Sequence, residues 1–362
     1  MIFQINPKRF KYFDYPLFLS VVFISLVGIL TISTTTKGDA FAIKQSIWVL
    51  SGIIVSLVVS HIDTRYVKRS ATIIYLFSLF LLVLVFVNGV LSHGARRWIA
   101  IGWVHLQPSE FIKIAVVLML ASYFDENPKP GRYEFKDLIY PALIVALPAI
   151  FILKQPDLGT SVIVAVIAVV IFLSVGLRKS LIVKGFALAL ILIPFAWSNL
   201  KPYQKDRIMG FLDPYSAPTT YGYNTIQSEI AIGSGKLIGL GVENVGKSQL
   251  SFIPESHTDF IFSVFSEQWG FVGDIVLLFL YAVVFFRAIA IVKHSTNDFD
   301  RIAALGIITY LWISVVFNIG MTVGLLPVVG VPLVFFSYGG SSMITAYFAI
   351  GILLAIRYKN KL

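Results

Sequence analysis

The 362-residue chain contains no cysteine. Disulfides, thiolate nucleophiles and cysteine-ligated metals are therefore excluded. Histidine is nearly as scarce. His61, His93, His105, His257 and His294 are scattered and show no metal-ligand spacing. Charge is thin as well: 13% of residues are charged and 57% are hydrophobic, with a mean hydropathy of +0.84. A soluble domain of this size could bury a large core and would still need a charged skin. No basic block interleaved with aromatic residues occurs, so the net charge of +10 does not point to nucleic acid. No cleavable signal peptide is evident, because the first apolar run starts late, is too long and lacks a small-residue cleavage site.

What the chain has is apolar runs near membrane-spanning length, separated by short polar gaps. Ten such runs lie at roughly 14–34, 45–61, 71–90, 109–124, 138–153, 159–176, 181–197, 270–292, 303–324 and 341–356. The expected fold is an all-α polytopic membrane protein. It forms one integral membrane domain over 1–362, with a large extracytoplasmic loop at 198–258 before the eighth span. Lys154–Gln155–Pro156–Asp157–Leu158 separates the fifth and sixth runs and predicts a tight reversal. With the N-terminus inside, 17 of the 29 basic residues fall on the inner side, so both termini read as cytoplasmic.

The long loop contains aromatic and apolar residues, among them Phe211, Tyr215, Tyr221, Tyr223, Ile226 and Ile230. These argue for an ordered lid or groove wall over solvated disorder. Within it, TIQSEIAIGSG at 225–235 reads as a short helix ended by glycine.

Several polar residues stand at the edges of the spans, each with two readings. Asp259, in PESHTDFIF at 254–262, closes the loop and precedes a span. Ser256, Thr258 or Asp259 could cap that helix. Alternatively, Asp259 is a general base held at the depth where loop meets membrane. Glu110 and Lys113 open the fourth span at i,i+3 spacing, as an ion pair that makes the helix tolerable or as part of a functional interior. Arg96 and Arg97, beside Trp98, stand on the outer side against the usual charge bias. They read as interfacial anchors or as a phosphate grip, and Lys201, Lys205 and Arg207 add outer positive charge to the second reading. Gly339–Gly340–Ser341–Ser342 permits either a tight turn into the last span or close helix packing. The residues alone leave lipid chemistry, ligand transport and scaffolding open.

Six stretches carry a resemblance: ARRWI at 95–99, QPSEFIKIA at 107–115, KQPDLGTS at 154–161, DPYSAPTTYGYNTIQSEIAIGSG at 213–235, SFIPESHTDFIFSVFSEQWGFVG at 251–273 and PLVFFSYGGSS at 332–342. In combination they resemble the SEDS family of bacterial shape, elongation, division and sporulation proteins, nearer its rod-shape, elongation-type members. The resemblance implies a peptidoglycan glycosyltransferase that polymerises lipid II into glycan strands at the outer face of the bacterial cytoplasmic membrane. It implies Asp259 as the catalytic carboxylate and Glu110 with Lys113 as a structural and functional pair. The implied partners are lipid II, a class B penicillin-binding transpeptidase and other elongation-complex membrane proteins. No organic cofactor is implied. Arg96 and Arg97 would stabilise the leaving pyrophosphate, and a divalent cation of open identity could share that work, although no closed protein ligand set is visible. A lipid II flippase and a non-catalytic membrane scaffold stand as the alternatives.

Overall fold

In the computed structural model the described residues are 12–35, 40–92, 95–102, 104–242 and 257–360. Twelve α-helices are present among them: α1 (Tyr15–Thr35), α2 (Ala40–Ser60), α3 (Thr64–Asn88), α4 (Pro108–Glu126), α5 (Phe135–Lys154), α6 (Leu158–Val175), α7 (Lys179–Asn199), α8 (Pro202–Leu212), α9 (Tyr223–Ser234), α10 (Ile261–His294), α11 (Asp298–Thr322) and α12 (Gly340–Lys359). Ten of them, all but α8 and α9, are at least 18 residues long. These ten coincide with the ten apolar runs of the sequence. Eight are long and apolar enough to cross a membrane by length and composition. The chain is a multi-pass membrane protein.

Between α3 and α4 the described residues add a feature to the helical bundle. They form a three-stranded antiparallel sheet, β1 (Val90–Ser92), β2 (Ala95–Ile101) and β3 (Val104–Leu106), in the order β1-β2-β3. β2 reads ARRWIAI, in which Trp98, Ile99 and Ile101 are branched or aromatic residues that suit a strand, and Gly102 at φ +63 allows the turn toward β3. The strands are too short to dominate a hydropathy pattern, which is why the sequence reads only as a loop.

Proline at the first position starts α4, and Asp157 caps α6, its side chain accepting from the Thr160 amide at 3.2 Å. The reversal between α5 and α6 takes place within residues 155–157, as expected. Glycines set the close contacts. A Cβ on Gly340 would lie 2.6 Å from the Trp48 ring, and one on Gly28 would lie 2.5 Å from the Phe336 carbonyl. Gly340 therefore serves close packing, whereas a Cβ on Gly339 would meet nothing nearer than Ser342 Cβ at 3.7 Å.

Helix α10 is broken at Gly270, whose φ of 64° and ψ of −169° are not helical. The break receives the chain that follows α9. Phe271 and Val272 amides donate to the Lys236 and Leu237 carbonyls at 2.9 and 3.0 Å, and Leu240 donates to Glu267 at 2.9 Å. Any Cβ at Gly270 would meet the Gly239 amide at 2.3 Å. The α9 helix, ending at Gly235 as the pattern predicts, is seated by Ser228, which donates to the Thr322 carbonyl at 2.6 Å. The described part of the long loop is thus packed onto the bundle as a wall.

The two ends of the bundle differ. At one end Asp14 takes a bidentate bond from Arg287, at 2.9 and 2.7 Å, with Arg357 at 3.6 Å, and Lys359 pairs with Asp300 at 2.8 Å. The start of α1 and the end of α12 therefore meet there. The other end carries the sheet, α8 and α9.

Candidate active site

At that second end a cleft of about 340 Å³ opens between elements far apart in sequence. β2 supplies Arg97 and Trp98, α4 supplies Glu110 and Lys113 with Gln107 just before it, and α6 supplies Thr160 and Ile163. Arg207 comes from α8, Thr258 and Asp259 from the turn before α10, Gly330 to Pro332, Tyr338 and Gly339 from the segment leading into α12, and Ser341 and Ser342 from the start of α12.

Each group is held. Arg97 donates Nε to the Gln155 carbonyl at 2.9 Å and also bonds the Pro156 carbonyl, so the α5–α6 reversal anchors its side chain. Asp157, buried at that reversal, accepts from Thr160 Oγ1 at 3.0 Å, Ser109 Oγ at 3.4 Å and Gln107 Nε2 at 3.5 Å. The Gln107 amide donates to Ser341 Oγ at 2.9 Å, which ties the start of α4 to the start of α12.

Lys113 donates to Glu110 Oε1 at 2.8 Å, and Lys113 Nζ stands 4.8 Å from the centre of the Tyr310 ring. Both side chains are almost fully buried, at 2% and 3% exposure. Glu110 Oε2 has no hydrogen-bond partner. Removing either charge would leave the other buried and uncompensated.

Asp259 is half-buried and sits one residue ahead of the helix cap, which is Phe260. Its Oδ2 lies 3.2 Å from where a Cβ on Gly330 would stand. Burial, and after it the like charge of Arg97, pulls the Arg207 guanidinium below its ordinary value, against the attraction of Asp259. Two arginines and a carboxylate thus sense one another across the cleft.

A family model described as a cell cycle protein, grouping FtsW, RodA and SpoVE, matches residues 11–362. The chain belongs to this family. It is 37% identical over 364 residues to the peptidoglycan glycosyltransferase MrdB of Escherichia coli K12, covering 99% of this chain and 98% of the relative. Its fold is similar to a chain from a peptidoglycan synthase complex that coordinates polymerisation and crosslinking, with a TM-score of 0.84 at 31% identity over 96% and 98% of the two chains. The rod-shape-determining protein RodA of Thermus thermophilus superposes with a TM-score of 0.73 at 28% identity, over 97% and 98%.

Within this FtsW/RodA/SpoVE fold the expected site residues divide. Asp259, Glu110, Lys113, Arg97 and Arg207 line one cleft. Arg96, Lys201 and Lys205 do not. Arg97 is drawn to the cleft by its bonds to the Gln155 and Pro156 carbonyls, and Arg96 is exposed. Lys201 is the N-cap of α8 and Lys205 lies about one turn further on, while Arg207 lies about 200° round the helix from Lys205. The cap alternative at Ser256 lies outside the described residues, as do Pro254 and Glu255. Sequence reasoning singled out neither Asp157 nor Gly330. Asp157 carried a signal, since an aspartate three residues ahead of a threonine at a helix start is a capping pattern. Gly330 carried none.

Proposed function

We propose that the chain is a peptidoglycan glycosyltransferase that polymerises lipid II at this cleft. The observation that carries the reading is the gathering of Asp259, Arg97 and Arg207 around one cavity. Two arginines held near each other repel unless an anion lies with them, and arginine's fork suits phosphate oxygens. The anion is the pyrophosphate that links the glycan to its polyprenyl anchor. The 4-hydroxyl of the acceptor sugar attacks the donor's anomeric carbon. Asp259 takes the hydroxyl proton as the new C–O bond forms. The bond from the anomeric carbon to the pyrophosphate oxygen breaks, and Arg97 and Arg207 stabilise the charge that develops there.

The basic end that holds Arg357 and Lys359 faces the cytoplasm, and the cleft faces outward. The polyprenyl tail stays among lipids, so the reacting bond lies at the depth of the turn that presents Asp259. The Glu110–Lys113 pair holds the outer end of α4 against the cleft. The partner is a class B penicillin-binding transpeptidase, since a glycan polymer alone is not cross-linked. No organic cofactor enters this chemistry. Among the described residues no three His, Asp or Glu side chains converge into a metal site. A divalent cation would have to draw most of its ligands from pyrophosphate and water, and no step is routed through one.

The test is purified protein with labelled lipid II, read for polymer, beside a lipid-flipping assay. Asp259→Asn keeps the shape of the side chain and loses the proton acceptor. It should fold, insert and still lose ~10²–10⁴-fold in rate. Near-normal polymerisation by folded D259N would remove the base assignment. Flipping without polymerisation by the unmodified protein would replace the enzyme with a transporter.

A further inference from the structure

Asp259 is not part of a helix, so something else must fix it. Three consecutive carbonyls of the turn are each held from across the cleft. The His257 carbonyl accepts from the Tyr338 amide at 3.0 Å, and the Thr258 carbonyl accepts from Ser337 Oγ at 2.6 Å. The Asp259 carbonyl accepts from Asn318 Nδ2 at 2.8 Å. Asn318 lies on α11 and is wholly buried. Its second N–H donates to the Val331 carbonyl, also at 2.8 Å. Val331 follows Gly330, where an added Cβ would stand 3.2 Å from Asp259 Oδ2.

We propose that Asn318 is the positioning residue for Asp259. One amide group holds the backbone of the carboxylate-bearing residue and the backbone of the wall its carboxylate faces. The proposal rests on Asp259 being the base. It extends that reading to a side chain that touches neither substrate nor the reacting atoms.

The chemistry of the position favours asparagine. Both partners are carbonyl oxygens, so the side chain must offer two donors and no charge. Those partners also dictate which way the amide points. Both Nδ2 hydrogens of Asn318 are thereby used, one on each side of the cleft wall. Aspartate has the same shape and would set oxygen against two oxygens. Alanine would leave both carbonyls unheld. Gly330 completes the arrangement. Its φ of +71 suits glycine, and a Cβ would press on Asp259 Oδ2 from 3.2 Å, with Arg207 Nη1 at 3.9 Å behind it. Glycine there leaves room for the carboxylate, and Asn318 keeps that room in register with it.

Catalytic geometry tolerates little error: a shift of about 1 Å can cost ~10²-fold in rate. The experiment compares initial polymerisation rates of full-length N318A, N318D, G330A, D259N and S314A with the unmodified protein across pH, with thermal midpoints measured in parallel. Ser314 is buried one turn away on α11 and donates to the Tyr310 carbonyl at 2.8 Å, so S314A controls for a lost buried bond. N318A should lower kcat by ~10–100-fold, leave the KM for lipid II within about threefold and move the acid limb of the pH–rate profile. N318D should be no better than N318A, and S314A should keep its rate. A kcat for N318A within about twofold of the unmodified protein overturns the proposal, as does a rate per folded molecule that is unchanged. If N318A does not fold, N318D, which keeps the side-chain shape and loses both donors, decides. Lowered kcat at unchanged KM upholds the positioning role, and a full rate overturns it. An active D259N would remove the underlying base assignment, whereas inactive D259N beside active N318A removes only this inference.

Discussion

Helices α4 and α7 are close in length, at 19 and 21 residues, and lie in opposite surroundings. Fourteen residues of α4 are buried, including both members of an ion pair. No described side chain of α7 is buried, and Phe186 and Phe195 are about two-thirds exposed. The more apolar helix is the outer one. In water the reverse would hold, since apolar surface is driven inward. In a bilayer the lipid tails solvate leucine and phenylalanine as well as a protein core does, so inner positions are marked by polar and small residues. The same trend appears among the apolar spans, where α12 is the least hydropathic and the most buried.

The contrast can be broken most sharply at the buried pair. Glu110→Ala or Lys113→Ala alone should cost ~3–5 kcal/mol and lower the thermal midpoint steeply, because one charge is left uncompensated in the bundle. Replacing both, as in E110M/K113L, should restore much of that stability without restoring polymerisation. Midpoints of the double variant as low as those of the singles would refute the charge argument. A smaller loss should follow from Gly351→Ala on α12. Its Cβ would meet Val59 Cβ at 2.7 Å and the Ser56 carbonyl at 2.8 Å, so overpacking of ~1–3 kcal/mol is expected. Weakest of all should be Phe186→Leu on α7, within ~0.5 kcal/mol, since both side chains suit lipid. A loss there as large as at Gly351 would mean that α7 is covered by something other than lipid.

Much of the site was legible residue by residue, and its grouping was not. Arg96 and Arg97 are indistinguishable in the sequence, and only the bonds of Arg97 to the Gln155 and Pro156 carbonyls separate them. Lys201, Lys205 and Arg207 read as one basic cluster until the turn of α8 divides them. Gly270 stood at the edge of an apolar run and gave no sign that helix continues on both sides of it. The turn at Asp259 reads as a helix start, yet its fixation comes from Asn318, Ser337 and Tyr338, about 60 to 80 residues further along.

The sequence by itself determined the ten long helices, the reversal at 155–157, the helix within the long loop and the family. These follow from local quantities: the length of apolar runs, proline and glycine punctuation, and contiguous motifs. Only the tertiary structure decided that α4 is central and α7 peripheral, that Arg97 and Arg207 join Asp259 while three other cations do not, and that Asn318 holds the turn. Hydropathy counts how apolar a helix is and says nothing of which side meets lipid or protein. Hydrogen bonds between distant carbonyls and side chains exist only once the helices have packed.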